Sequence, residues 1–452
     1  MGQKAVGVQR QSVASATLIT YGTNLLVAVL SLVNVLVVSR VLGPSGRGSV
    51  ALLTAIAWFT SNLSTAGVEE ANVNLAAQEP QVRRSLATNS VLLALLLGGL
   101  AAGIVAGLIH FVPAVGGHES VALRWLTLAS LPALILGIYL RFLVRADYGF
   151  KVVNIAWFVT PLANLVTNGV LALVGVLSVG TAIGAWVGGQ TLFTLILVFY
   201  VSRRLAGFGR PDLGLAGRAL SFGLKSHIGR VMLLGNYRLD QWVLGAISGT
   251  RELGLYSVAV AWAEALWYLP TALAYVQRPD LIRASRREAG RQSALAFRAA
   301  TLVTLVLGLG MVVFAPFLCV TLFGGGFHGS IVELRILVLG AVGVLALKVF
   351  GSALVAQRRP LVSSTALGVG FVVTVALDVL LIPPYAGIGA SVASTIAYTI
   401  GGGVMITLFC RVLDARAGDL APRLADVRWI ALRARDFRRR RTPPPEGVAT
   451  EP

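Results

Sequence analysis

The sequence predicts an all-α polytopic membrane protein with twelve transmembrane helices in two six-helix bundles. Three observations lead there: apolar composition, the length of uncharged stretches, and the placement of basic residues. The 452 residues are 56% hydrophobic and 13% charged, with a mean hydropathy of +0.79; soluble domains carry ~25% charged residues. Residues 152–202 hold no charge at all. That is far longer than the ~20 residues one helix needs to cross a bilayer, so it reads as two spans joined near 178–180. A closed β-barrel would instead show short alternating strands.

Basic residues give the topology. They gather in every other gap between apolar stretches: Lys4 and Arg10, then Arg83 and Arg84, then Arg141, Arg145 and Lys151. Arg203 to Arg218, Arg278 to Arg298, Arg358 with Arg359, and a tail from Arg411 complete the set. The intervening gaps carry only Arg40, Arg47, Arg124 and Arg251. Basic loops favour the cytoplasmic side. The expectation is a multi-pass cell-membrane protein with both termini in the cytoplasm.

The spans follow in order. The first half holds 12–38, 47–77, 86–112, 121–144, 152–177 and 181–201. The second holds 218–247, 253–277, 299–323, 331–356, 361–382 and 388–409. This divides the chain into a bundle at 1–206, a bundle at 207–411 and a basic tail at 412–452. Two stretches repeat weakly, SRVLGPSGRGSVAL from Ser39 and LGAISGTRELGLYSVAV from Leu244; each is a span end, a Gly turn and a small-residue helix start. Six-plus-six repeats fit transporters whose halves rock around a central site. Gly99, Gly103 and Gly107, and likewise Gly184 and Gly188, recur at the spacing by which helices approach closely in lipid.

Composition also excludes function classes. The formal charge of +19 comes without aromatic-plus-basic nucleic-acid motifs. It is better assigned to cytoplasmic loops and tail facing anionic inner-leaflet lipid. No Gly-rich phosphate loop and no metal-ligand spacing occurs, so neither cofactor nor metal is expected. Outer loops offer only scattered acids and histidines (Glu119, Glu252, Glu333, His110, His118, His328), with no nucleophile–base pair for a glycosyltransferase or ligase.

Three segments resemble the polysaccharide-repeat-unit (Wzx-type) flippases of the MATE-like, or MOP, exporter superfamily. They are SRVLGPSGRGSVAL at 39–52, YRLDQWVLGAISGTRELGLYSVAVAWAEALWYLP at 237–270 and LDVLLIPPYAGIGASVASTIAY at 377–398. Their order covers residues 10–411. Two positions depart from the family pattern: Asp378 stands where an Asn is usual, and Arg47 where a Tyr or Phe is common. The resemblance implies two bundles in a V and a polyprenyl-diphosphate-linked oligosaccharide moved from the inner to the outer leaflet. It also leaves two relatives as rivals, a lipid II flippase and a drug-extruding antiporter. Cationic span seven favours an anionic substrate over a cationic drug.

The residues themselves nominate a site. Span seven carries Lys225, His227, Arg230, Asn236, Arg238, Asp240 and Gln241. At ~100° per residue, His227, Arg230, Arg238 and Gln241 share one face, suited to a diphosphate and sugar hydroxyls. The alternatives are that His227 snorkels to the cytoplasmic mouth and that Arg238 pairs with Asp240 or an acid of a neighbouring helix. Glu264 on span eight is the candidate for coupling transport to an ion, or else a structural partner of a span-seven base. Trp267 and Tyr268 beside it can stack on sugar rings or pack in the membrane belt. Asn62 on polar span two, with Tyr21, Asn24 and Asn34 on span one, reads as the lining of a water-filled cavity. Asp378, near the outer end of span eleven, reads as a structural or loop-capping acid. In the tail, 427–437 can form an amphipathic helix on the inner leaflet; docking of a polysaccharide-assembly enzyme is the alternative.

Overall fold

The computed structural model describes residues 13–116, 119–204 and 207–423. Lys4, Arg10, His118 and the 427–437 segment lie outside these, as does the side chain of Tyr21. Among the described residues the chain is helical, without strands. The helices are α1 (Val13–Leu63), α2 (Val68–Gln78), α3 (Arg83–Phe111), α4 (Val121–Ala129), α5 (Leu131–Ala146), α6 (Phe150–Leu173) and α7 (Val179–Arg204). There follow α8 (Leu213–Ile247), α9 (Gly249–Ala265), α10 (Tyr268–Arg283), α11 (Arg286–Pro316), α12 (Gly329–Leu339), α13 (Ala341–Ala356) and α14 (Pro360–Leu413). Seven helical stretches are long and apolar enough to cross a membrane, or eight with the bent pair α12–α13 counted as one. The chain is an integral membrane protein.

Two long helices each contain a break. α1 leaves helical geometry at Gly43 and α14 at Ala386. Span eight is not continuous as expected. It stops at Ala265 and resumes at Tyr268, leaving out Leu266 and Trp267, which the apolar pattern reads as helix interior.

Chain contacts divide the molecule into two compact units. One comprises Met1–Ala265, Met311–Gly340 and Leu367–Ala397; the other comprises Leu266–Gly310, Ala341–Ala366 and Tyr398–Pro452. The cut expected at residue 206 divides the chain by sequence half and is a different division. In the larger unit, a core of Leu52, Ile56, Leu244, Leu253 and Tyr256 joins α1, α8 and α9. In the smaller unit, Phe350 lies between Phe297 and Phe409, with ring centroids 4.7 and 4.0 Å away. Gln357 there donates to the Leu281 carbonyl at 2.6 Å, tying the end of α13 to α10.

The weak sequence repeat has a structural cause. Gly43 and Gly249 stand at matching positions and both take positive φ, 65° and 86°, which β-carbon sterics deny most residues. Downstream, Gly48 abuts the Thr250 carbonyl while Gly254 abuts the Pro44 carbonyl. The pairs Pro44–Gly48 and Thr250–Gly254 are related by one chain offset, so the two repeats interlock reciprocally. A Cβ at Gly48 or Gly254 would overlap backbone.

The other glycine stripes were misjudged. A Cβ at Gly99, Gly103, Gly107, Gly184 or Gly188 meets nothing within 4 Å. Four-residue spacing defines a helix face but not what covers it, and among the described residues nothing packs on these. The start of α8 is firmly set: Asp212 caps it by accepting from Leu215 N–H at 2.9 Å. Asn89 grips that residue's backbone from α3, donating to its carbonyl at 2.7 Å and accepting its N–H at 3.1 Å.

Candidate functional site

The site begins where span two breaks. The run TSNLSTAG at 60–67 is rich in side chains that compete for backbone hydrogen bonds, and helix is lost between Leu63 and Val68. Gly67, at φ 72°, lies against the backbone of Gly223 on α8 so closely that neither has room for a Cβ. His227 and Arg230, one and two turns further along α8, therefore sit over the break. His227 Nε2 lies 2.8 Å from the Leu63 carbonyl, one of the last carbonyls of α1 with no helical donor. His227 is buried, rather than snorkelling to an exposed mouth.

Arg230 Nη1 lies 2.9 Å from Glu69 Oε1, and its Nη2 donates to Asn62 Oδ1 at 3.2 Å. Glu69 is fully buried in the first turn of α2, where the helix dipole favours a carboxylate. Thr65 Oγ1 also donates to it at 3.2 Å, and Tyr139 of α5 closes the break by donating to the Thr65 carbonyl at 2.9 Å. Much of the polarity of span two is thus spent on neighbouring helices; Asn72 likewise donates to Ser90 of α3 at 2.9 Å.

Two turns beyond Arg230 is a second ion pair. Arg238 grips Glu264 of α9 with both Nη atoms, at 2.5 and 3.2 Å, the two-pronged geometry that suits guanidinium to carboxylate. Its guanidinium stands 5.9 Å from the Trp58 ring centre. The side chains of Arg230 and Arg238 remain 22% and 28% exposed, so neither cation is sealed from an incoming group. Gln241 is buried, and its backbone N–H donates to Asp240 Oδ1 at 2.7 Å.

The remaining expected residues belong to other surroundings within their own units. Trp267 and Tyr268 belong to the smaller unit. There Trp267 packs edge-to-face with Tyr398 at 5.7 Å and has the Lys348 ammonium 5.7 Å from its ring. Asn24 is half-buried on α1. Asn34 does line a cavity, of about 290 Å³, but one walled by α1, α6 and α7.

Sequence reasoning misread one acid and gave one cation no role. The first is Asp378 on α14. It caps nothing: it is buried, and neither carboxylate oxygen has a hydrogen-bond partner. It lies within electrostatic reach of buried Asp240, which accepts from the hydroxyls of Tyr256 and, at 3.2 Å, Ser394. The signal was available, since two acids in apolar, membrane-length segments are costly wherever they sit. The second is Arg47, whose Nε is buried without a partner; only its departure from the family pattern marked it.

Comparisons with known proteins fit this arrangement. A model of the family described as polysaccharide biosynthesis protein matches residues 37–332. No curated protein matches. Among solved structures, the inward-closed lipid II flippase MurJ aligns with TM-score 0.70 at 12% identity, covering 94% of each chain. An inward-facing multidrug-resistance MATE transporter of the MOP superfamily aligns at 0.68 and 13%, covering 94% of this chain and 100% of that one. A Pyrococcus furiosus MOP transporter, described as having a binding pocket of reverse polarity, aligns at 0.59 and 14%, covering 89% and 96%. The fold is that of these transporters, and the match over 37–332 places the chain in the polysaccharide biosynthesis protein family.

Proposed function

We propose that this protein is a flippase that carries a polyprenyl-diphosphate-linked oligosaccharide from the inner to the outer leaflet by alternating access. The observation that carries the reading is the cationic face of α8, where Arg230 and Arg238 stand inside membrane-length helix, paired but still reachable. Charge in hydrocarbon is tolerated where it faces protein or a water-filled path. Two guanidiniums with a neighbouring His227 and the amides Asn62 and Gln241 offer what a diphosphate and sugar hydroxyls need. Membership of a polysaccharide biosynthesis family supports a saccharide cargo.

Twelve spans in two bundles of six, with both ends cytoplasmic, belong to the same proposal. The 54 residues of α14 would measure about 80 Å at 1.5 Å per residue, against ~30 Å of bilayer core. Each of α1 and α14, broken near its middle, counts as two spans; α4–α5, α9–α10 and α12–α13 count as one each. Labelling after Arg124 and Arg251 from outside tests this, and labelling only from the cytoplasm refutes it. The basic tail is assigned to anionic lipid.

The test of the site must respect its ion pairs. Replacing Arg230 alone would strand fully buried Glu69, at a cost of about 3–5 kcal/mol. The informative variants are therefore neutral: Arg230→Gln with Glu69→Gln, and Arg238→Gln with Glu264→Gln. Both should insert and fold yet lose export of lipid-linked saccharide. Normal surface polysaccharide in cells carrying the combined variant would remove these residues from the mechanism.

Coupling has two candidates. Glu264, held by Arg238, is one; an ion pair that opens in one state and closes in the other biases a two-state equilibrium. Asp378, with both oxygens unpaired, is the second, since such a carboxylate is stabilised by a proton or cation. Flipping of a fluorescent lipid-linked substrate in vesicles, with and without pH or Na⁺ gradients, separates them. The coupling residue is the one whose Gln or Asn variant stops responding to the gradient. A wild type indifferent to both gradients rules out both.

A further inference from the structure

The cavity walled by α1, α6 and α7 is lined by residues of the first half of the sequence, none of them a member of the ion pairs of α8 with Glu69 and Glu264. Its origin is legible in α6. Pro161 has no N–H, so the Trp157 carbonyl one turn before it lacks its helical donor. Both residues line the cavity, as does Trp186 of α7. At about 290 Å³ it falls at the lower end of the ~300–1,000 Å³ of small-molecule sites. It has room for a sugar residue or two, not for a whole oligosaccharide.

Three buried polar atoms on this wall have no partner: Arg47 Nε, Asn164 Oδ1 and Asn168 Oδ1. Nearly all buried polar atoms in proteins are paired, so three orphans around one space point to something that fills it. Asn168 is also held in place, its Nδ2 donating to Asn34 Oδ1 at 2.8 Å. The set is two amide acceptors, one of them held in place, a charged donor and two indole rings. Acceptors suit sugar hydroxyls, and indole faces suit the apolar face of a pyranose.

The charge narrows the ligand further. Arg47 lies within electrostatic reach of Arg238. Arg238 has its own counter-ion in Glu264, whereas no ion pair among the described residues involves Arg47. A half-buried cation beside a second cation gains most from a ligand that brings the missing negative charge.

We propose that this cavity is a subsite for an acidic sugar, in which Arg47 pairs with the carboxylate of a uronic acid residue, Asn164 and Asn168 accept from its hydroxyls, and Trp157 and Trp186 flank the ring. The proposal rests on the saccharide-carrier reading and specifies part of the cargo. A single guanidinium in a sugar-sized space selects one carboxylate rather than a diphosphate, which would draw on several cations.

Binding to the full chain in detergent tests it, followed by tryptophan fluorescence and by equilibrium dialysis of radiolabelled probes. The probes are a glucuronic-acid-containing disaccharide, its neutral glucose counterpart, and inorganic diphosphate. The acidic disaccharide should bind at least ten-fold more tightly than the neutral one. Arg47→Gln should erase that preference, Arg47→Lys should keep part of it, and Asn168→Leu should weaken both disaccharides alike. Equal affinity of the wild type for both disaccharides overturns the proposal whether or not any variant folds. So does an Arg47→Gln protein that keeps the preference. Diphosphate that binds more tightly than the acidic disaccharide, and competes with it, reassigns the cavity and overturns the proposal too. The assay needs no transport. Failure to flip lipid-linked saccharide breaks the carrier reading, whereas intact flipping with an unaltered preference in Arg47→Gln breaks the subsite alone.

Discussion

Asn34 precedes Gly43 by the nine residues that separate Asp240 from Gly249, so the two occupy equivalent places in the interlocked repeats. Each faces a residue of another helix. In the first half that residue is Asn168 of α6, hydrogen-bonded to Asn34 at 2.8 Å. In the second it is Asp378 of α14, within electrostatic reach of Asp240. The position of Asn34 and Asp240 thus holds an amide in one repeat and a carboxylate in the other, each beside a residue of its own kind. An amide both donates and accepts, so two of them can bond each other. Ionised carboxylates only accept. Donors must then come from elsewhere, and Asp240 takes them from Tyr256, Ser394 and the Gln241 backbone. Asp378 is left with none. One repeat holds two amides joined by a hydrogen bond, with Asn168 Oδ1 still open to a donor, and the other a pair of acids that needs a proton or cation to be at ease.

That comparison presupposes the reciprocal glycine contact, and breaking the contact should have the largest effect. Gly48→Ala places a methyl group on the Thr250 carbonyl, and Gly254→Ala places one on the Pro44 carbonyl. Backbone on both sides leaves little room to relax, so each should cost about 3 kcal/mol, the upper end for overpacking. The yield of monodisperse protein on size-exclusion chromatography should collapse. Gly103→Ala, which meets open space, should behave as the wild type. Equal yields for all three variants would mean that the repeats are not locked at this point.

The next prediction reverses the usual sign. Asp378→Asn keeps the shape, removes like-charge repulsion against Asp240 and supplies the missing donor. An unsatisfied buried polar group costs about 1–3 kcal/mol, so the variant should melt a few degrees higher than the parent in Na⁺-free buffer. Asn168→Asp makes the first half resemble the second at that position and should melt lower. If Asp378→Asn melts lower as well, the second cluster is already satisfied in the native protein and the contrast fails.

How much of this the sequence carries depends on the distance over which a residue acts. Apolar runs and basic gaps are local, and the helices follow them closely. The ion pairs of Arg230 and Arg238 were half legible: a charge in a span demands a partner, but only the fold says that Glu69 and Glu264 supply it. Asp240 with Asp378, and Arg47 with Asn168, join residues more than a hundred positions apart, and no periodicity encodes such meetings. Glycine spacing misled in the opposite way. The stripe at Gly99 looks like an interface and among the described residues nothing packs on it, whereas the glycines that do lock helices, Gly48 and Gly254, sit in turn motifs. The break after Ala265 was hidden because Leu266 and Trp267 are as apolar as a continuing helix requires.

The smallest expected effect is on Arg47 and stability. Removing one member of a buried ion pair is costly because the other is stranded; Arg230→Gln alone illustrates that case with Glu69. Arg47 has no such dependant among the described residues, its Nε makes no hydrogen bond, and the nearby Arg238 opposes its charge. Arg47→Gln should therefore shift the melting midpoint by less than the equivalent of about 0.5 kcal/mol, the range of substitutions away from structural networks, or even raise it. A cation that can be removed at no cost in stability is free to serve a ligand. Thermal unfolding of Arg47→Gln beside Arg230→Gln measures this directly. A loss at Arg47 as large as that at Arg230 would make the guanidinium a structural strut and leave the amide cavity without its charge argument.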